Sequence, residues 1–88
     1  MITSKQRSQL RGLAAAEDTI IQVGKSGITP ALIASVEAAL AARELVKGRV
    51  LENSMLTARE ACQQLAEACG AEPVQTIGTK FVLYRKKA

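Results

Sequence analysis

Three helix-start signals, separated by strand-like segments, constrain the fold of this chain more than any other feature of its sequence. The signals are Thr3 with Gln6, Thr57 with Glu60, and Thr29 before Pro30. In the first two, each side chain can accept a hydrogen bond from the other residue's free backbone N–H. In the third, an N-cap threonine is followed by proline, which has no backbone N–H that would need an acceptor. Helices are therefore predicted at about residues 4–15 and 30–43, and from residue 58 to a stop at Gly70.

Four segments between and after these helices have the composition of strands. β-branched or alternating residues fill positions 19–23, 44–51, 74–77 and 80–85. The last two segments flank Gly78-Thr79, a two-residue connection with glycine first, as in a type II′ hairpin turn. The predicted order is α-β-α-β-α-β-β, an α/β fold whose helices pack on a mixed four-stranded sheet.

The sequence also predicts how the strands are arranged. Each strand–helix–strand unit implies parallel neighbouring strands, and the final hairpin adds one antiparallel strand. The last strand is apolar on both sides, with Phe81 and Leu83 facing one way and Val82 and Tyr84 the other. We therefore expect this strand to be central or to be covered by helices on both faces.

The chain is 88 residues long, which leaves room for one domain, predicted to span residues 1–88. It has no histidine and no recognisable carboxylate pair or nucleophile–base pair, so we expect no enzyme, no cofactor and no metal site. Its longest apolar run has five residues, far fewer than the ~20 of a membrane span, and we expect a cytoplasmic protein. Cys62 and Cys69 would lie roughly 10 Å apart on one helix, which predicts buried, reduced thiols and no disulfide.

Positive charge is concentrated at the two ends of the chain. The net charge is +4, yet residues 1–14 alone carry +3 and residues 80–88 carry +4, with no acidic residue in either segment. Lys47 and Arg49 add a basic side to the strand at 44–51. Such an excess predicts a polyanionic partner, with nucleic acid first and an acidic protein or anionic membrane surface as the alternative.

Gly24-Lys25-Ser26-Gly27 lies between a predicted strand end and a predicted helix start, where free N–H groups and the helix dipole favour an anion. The glycines would let a phosphate approach the backbone, as in the GXXG loop of KH domains, and Lys25 adds a cation. A plain tight turn that needs positive φ at one or both glycines explains the same residues. A nucleotide-hydrolysing P-loop is not expected, because Thr19 stands where its first glycine would be.

Five segments spread over nearly the whole chain form a recognisable set: residues 6–7, 10–11, 23–29, 44–47 and 77–85. In these segments the chain resembles the CRM domain, the chloroplast RNA splicing and ribosome maturation family, and especially its small stand-alone YhbY-like bacterial members. The resemblance implies an RNA-binding domain similar in fold to the C-terminal domain of translation initiation factor three. It also implies association with large-subunit ribosomal RNA or a pre-ribosomal particle during ribosome assembly. One departure is Gly48, which replaces an apolar strand residue and predicts a weakened or bulged strand.

The predicted RNA-binding residues are those of the GxxG loop together with basic residues of the two ends. They are Gly24, Lys25, Ser26, Gly27, Lys5, Arg7, Arg11, Lys80, Arg85 and Lys86. Because the two aromatic residues are predicted to lie in the core, binding should depend on phosphate contacts and not on base stacking. RNA is thus the predicted partner, with no membrane and no small-molecule substrate.

Overall fold

The computed structural model describes residues 2–86, which form three helices and four strands in the predicted order α-β-α-β-α-β-β. The helices are α1 (Ser4–Ala14), α2 (Pro30–Arg43) and α3 (Ala58–Cys69). The strands are β1 (Thr19–Val23), β2 (Leu45–Val50), β3 (Glu72–Ile77) and β4 (Lys80–Tyr84). Across the described residues, none of the helices combines the length and the apolar character that crossing a membrane requires.

The three predicted helix starts are confirmed. The side-chain oxygens of Thr3, Thr29 and Thr57 each accept a hydrogen bond of 3.1 Å from the backbone N–H three residues further on. The side-chain oxygens of Gln6 and Glu60 in turn accept a hydrogen bond from the N-cap N–H, so both capping boxes are complete. These bonds join residues three positions apart, which is why local sequence was enough to predict them.

The sheet has the strand order β1-β2-β4-β3. β1 and β2 are parallel neighbours as predicted, but β4 lies between β2 and β3 and is antiparallel to both. The prediction that β2 and β3 would also be parallel neighbours is therefore wrong. Phe81, Val82 and Leu83 are all buried, and a strand that is apolar on both faces is best accommodated in the middle of a sheet. The expectation that this strand would be central or covered by helices on both faces is confirmed, since it lies in the middle of the sheet.

Helices cover both faces of the sheet. The larger core lies between the sheet and the pair α2 and α3, and it contains Val23, Leu65 and Phe81. α1 covers part of the opposite face, where a smaller core forms around Ala14 and Val82. Because α1 is the only helix on that face among residues 2–86, some of the sheet's side chains there remain exposed.

Gly48 lies in β2 directly against the ring of Phe81. A Cβ atom at this position would overlap the ring, so the close approach of a core aromatic side chain requires glycine. β2 pairs regularly with β4 through this point, and the predicted bulge in β2 is wrong. The irregularity lies in β1 instead, between Thr19 and Ile21, where the register with β2 shifts by one residue.

Candidate nucleic-acid interface

Several connections meet at the end of the sheet where the parallel strands β1 and β2 finish, which we call the loop end. Gly24 to Gly27 follow β1 and lead to α2, and residues 51–57 follow β2. The turn between β3 and β4 lies at the same end of the sheet, because the Val50 N–H at the end of β2 donates to the Thr79 carbonyl in this turn at 2.7 Å. Segments that are distant in the sequence therefore share one surface.

The GxxG loop is a tight turn in which the Gly27 N–H donates to the Gly24 carbonyl at 3.0 Å. Gly27 has a φ of 68°, in the left-handed region that favours glycine. Gly24 does not have a positive φ, and a Cβ there would lie 3.8 Å from the Leu51 side chain, an ordinary contact. The backbone thus requires glycine at Gly27 alone, which leaves the glycine at position 24 available for a role in binding.

The first turn of α2 offers fewer free N–H groups than the sequence suggested. Pro30 has no N–H, and the two oxygens of Thr29 accept the N–H groups of Leu32 at 3.1 Å and Ile33 at 3.0 Å. In the part of the chain that the structure describes, the Ala31 N–H is the one first-turn donor left without an acceptor. An anion at this loop would therefore depend mainly on groups of the loop itself.

A row of exposed side chains, which we call the basic row, crosses all four strands at the loop end. In register it consists of Gln22, Arg49, Lys80 and Ile77. The row lies on the α1 side of the sheet, since Lys47, two residues before Arg49, donates to the Ala14 carbonyl of α1 at 3.4 Å. Arg49 and Lys80 are direct cross-strand partners, an arrangement in which like charges repel. Neither forms an ion pair with any residue in the range 2–86.

Arg85 lies at the other end of the sheet, and its guanidinium group is engaged inside the protein. Nη1 donates to Glu37 Oε1 at 3.0 Å and to the Cys69 carbonyl at 2.9 Å, and Nη2 donates to the Glu37 carbonyl at 3.3 Å. These bonds connect the chain just after β4 to α2 and α3, so we call this the tethered end. Lys86 is exposed there, and Lys87, from the same basic segment, lies outside the described residues.

The three cations of α1 do not form one cluster. Lys5 is exposed, and Arg11 is exposed with its Nη2 donating to the Ser8 hydroxyl at 3.1 Å. Arg7 is half-buried and lines a cavity together with Arg59 of α3. The basic N-terminal segment of the sequence is therefore divided among different surroundings.

Among the predicted site residues, the structure brings together the GxxG loop and Lys80, and it places Lys5, Arg85 and Lys86 elsewhere. Sequence reasoning missed Arg49 as a site residue, although the alternation at 44–51 had placed it on a basic side of a strand. The missing information was the register that sets Arg49 beside Lys80.

The two cysteines of α3 are free and buried, as predicted. Burial raises the pKa of the Cys62 thiol to about 11, so almost none of it is a nucleophilic thiolate near neutral pH. Burial also raises the pKa of Cys69, and the Glu37 carboxylate adds to that rise. Over residues 2–86, no three side chains of the His, Cys, Asp or Glu type come together as a metal site.

Known proteins are similar to this chain in both sequence and fold. The family model of the CRS1 / YhbY (CRM) domain matches residues 2–85. The "Probable RNA-binding protein YqeI" of Bacillus subtilis is 38% identical over 86 residues, which cover 98% of this chain and 90% of that protein. A Haemophilus influenzae protein named "RNA-binding protein" is 33% identical over 84 residues, which cover 96% of this chain and 85% of that protein.

A solution structure of a Staphylococcus aureus protein superposes on this fold with a TM-score of 0.84 and 41% sequence identity, covering 100% of this chain and 92% of that one. The predicted fold class and family are confirmed by these matches. Similarity to the C-terminal domain of translation initiation factor three stays a prediction.

Proposed function

We propose that this chain, which belongs to the CRS1 / YhbY (CRM) domain family, binds RNA through the loop end of its sheet. One observation carries the proposal: Lys25, Arg49 and Lys80 come from three separate elements to the same end of the sheet, and all three are exposed. Exposed cations without ion-pair partners in the described residues are free to neutralise phosphates, which supplies most of the affinity of nucleic-acid binding. Relatives named as RNA-binding proteins support this class of partner.

In the proposed complex, a phosphate lies against the GxxG turn. A shallow cavity of about 340 Å³ borders the turn and is lined by Lys25 and Ser26. The absence of a side chain at Gly24 would let the phosphate reach the backbone, and Lys25 would neutralise its charge. Arg49 and Lys80 would contact further phosphates of the same strand, which also removes the repulsion between these two cations.

The proposed contacts position an RNA backbone and do not read its bases. Phe81 is fully buried, and Tyr84 is half-buried at the tethered end, so neither aromatic ring can stack on a base at the loop end. Contacts to phosphate and sugar carry no sequence information by themselves. The shape of the RNA would therefore select the binding site.

We further propose that the RNA is ribosomal, as a precursor of the large subunit in the cytoplasm, and that the chain acts as one non-catalytic module. The family resemblance supports this target. Crosslinking in cells followed by sequencing of the bound RNA tests it. Enrichment of large-subunit sequences is expected, and enrichment of unrelated transcripts would contradict the ribosomal target without contradicting RNA binding.

The loop end is tested by comparing Lys25→Glu with Lys86→Glu, because the two variants change the net charge equally. Lys86 is the matched control, since it is exposed at the tethered end. With a large-subunit ribosomal RNA fragment at one salt concentration, we expect Lys25→Glu to weaken binding by about tenfold, equivalent to ~1.4 kcal/mol. Lys86→Glu should weaken it only by the small effect of net charge, and thermal unfolding should be nearly the same for both variants.

Equal losses of affinity from the two substitutions would mean that only net charge matters and would overturn the proposed site. Anionic phosphatidylglycerol vesicles at the same salt concentration provide the comparison with a membrane surface. Retention on vesicles that equals or exceeds retention on RNA would overturn RNA as the preferred partner.

A further inference from the structure

We propose a second phosphate-binding site, separate from the loop end, in a cleft at the free edge of β3. The cleft has a volume of about 530 Å³ and opens between α1 and α3, and we call it the edge cleft. Its polar lining includes Arg7, Arg59, Gln63, Gln75 and Thr76. The inference rests on the proposed function, because it adds a contact for the same RNA backbone.

Arg7 provides the strongest evidence for a ligand. Its Nε atom is buried and has no hydrogen-bond acceptor among the described residues. A buried donor without an acceptor is unusual in a folded protein, because it has lost its water and gained nothing in exchange. Rotation of the half-buried Arg7 side chain toward a phosphate in the edge cleft would bring this N–H to an acceptor oxygen, and guanidinium groups bind phosphate through paired N–H donors.

Arg59 brings a second guanidinium group to the cleft from the first turn of α3. Gln63 and Glu67 follow it at intervals of four residues, so the three side chains form a line along one face of the helix. Neither Arg7 nor Arg59 forms an ion pair within residues 2–86. Two unpaired arginines against Glu67 leave the cleft positively charged, which favours an anion.

The edge of β3 is poorly suited to the other ligand that a free strand edge can bind, an extended peptide. β3 is an edge strand, because in the described sheet it pairs with β4 on one side and with no strand on the other. Pro73 lies within it, and its register shifts between Pro73 and Gln75. Proline and bulges interrupt the regular row of backbone donors and acceptors that strand addition needs. The observations therefore favour phosphate over a peptide strand.

The edge cleft and the loop end are close enough for one RNA to contact both. Thr76 lines the cleft, and the next residue, Ile77, ends the basic row. Four strands at their usual spacing make a sheet roughly 15 Å wide. A backbone that leaves the GxxG turn and follows the basic row thus arrives at the cleft.

The test compares Arg59→Gln with Arg43→Gln. Arg43 is the matched control, because it is an exposed helical arginine in the last turn of α2, with only a 3.9 Å ion pair to Glu17. We expect Arg59→Gln to weaken RNA binding about threefold to tenfold. The slope of log affinity against log salt concentration should become less negative by about one. Arg43→Gln should bind RNA nearly as the wild type does. Glu67→Gln should tighten binding, since it removes the negative charge of the cleft.

NMR of the Arg7 Nε–Hε signal gives a reading at the cleft itself. We expect this signal to shift when either RNA or inorganic phosphate is added.

The possible failures can be told apart. If RNA binds and Lys25→Glu weakens that binding, but Arg59→Gln binds like Arg43→Gln and the Arg7 signal does not shift, the edge cleft is overturned as a binding site and the loop end stands. If RNA fails to bind while inorganic phosphate shifts the signal, the anion site stands and the proposed function fails. A shift with poly-glutamate but not with RNA would overturn phosphate as the ligand.

Discussion

The two ends of the sheet use positive charge in opposite ways. At the loop end, Arg49 and Lys80 are exposed, lie directly opposite each other and form no ion pair with any described residue. At the tethered end, Arg85 donates three hydrogen bonds to Glu37 and Cys69 and is largely shielded from solvent. The first arrangement is unfavourable for the free protein, and the second stabilises it.

The comparison shows that hydrogen-bond partners, and not the density of charge along the chain, distinguish a cation that is free to bind an anion from a structural one. Lys80 and Arg85 belong to the same basic C-terminal segment, only five residues apart. β4 carries them to opposite ends of the sheet, where Lys80 lies opposite another cation and Arg85 donates to a carboxylate and two carbonyl groups. The predictions below test this division.

The largest effect on stability is expected from Arg85→Ala. The substitution removes a charged hydrogen bond to Glu37 and leaves the Cys69 carbonyl, at the end of α3, without its donor, so we expect a loss of about 1–3 kcal/mol in the free energy of unfolding. RNA affinity of the folded protein should be unchanged, as measured by titration well below the unfolding temperature. Lys86→Ala is the control and should be neutral in both measurements. Weaker RNA binding by Arg85→Ala at full stability would contradict the division between the two ends.

A smaller effect separates the two glycines of the GxxG loop. Gly27→Ala places a Cβ at a φ of 68° and should cost about 1–2 kcal/mol of stability. Gly24→Ala should leave stability nearly unchanged, because its Cβ has room, yet it should weaken RNA binding severalfold by holding a phosphate away from the backbone. Chemical denaturation and RNA titration of both variants decide the point. If Gly24→Ala binds RNA like the wild type, the glycine has no role in phosphate approach.

The smallest effect on stability is expected at the basic row. Arg49→Gln relieves the repulsion with Lys80 and should raise the free energy of unfolding by a few tenths of a kcal/mol. It should also reduce the slope of log affinity against log salt by about 0.7–0.9, the value of one phosphate contact. With Lys25, Arg49, Lys80 and the two arginines of the edge cleft engaged, the wild-type slope should be about −3.5 to −4.5. A slope that does not change in Arg49→Gln would exclude Arg49 from the interface.

The sequence by itself determined the local structure of this protein. All three helix starts, the hairpin turn and the order of the seven elements were predicted, because each depends on hydrogen bonds or side-chain patterns within a few residues. It also indicated that the last strand would be central or covered by helices on both faces, since its residues are apolar on both sides. The GxxG loop was visible for the same reason, as a short motif between two recognisable elements.

Only the tertiary structure decided which charges meet. The insertion of β4 between β2 and β3 pairs Arg49 with Lys80, positions Arg85 beside Glu37, and leaves β3 as the edge that borders Arg7 and Arg59. None of these contacts follows from spacing along the chain, because they join different elements, and the Arg49–Lys80 and Glu37–Arg85 pairs are more than 30 positions apart. Strand order and register are set by how the apolar faces of distant segments bury one another, and the exposed charges are carried to their positions by that packing.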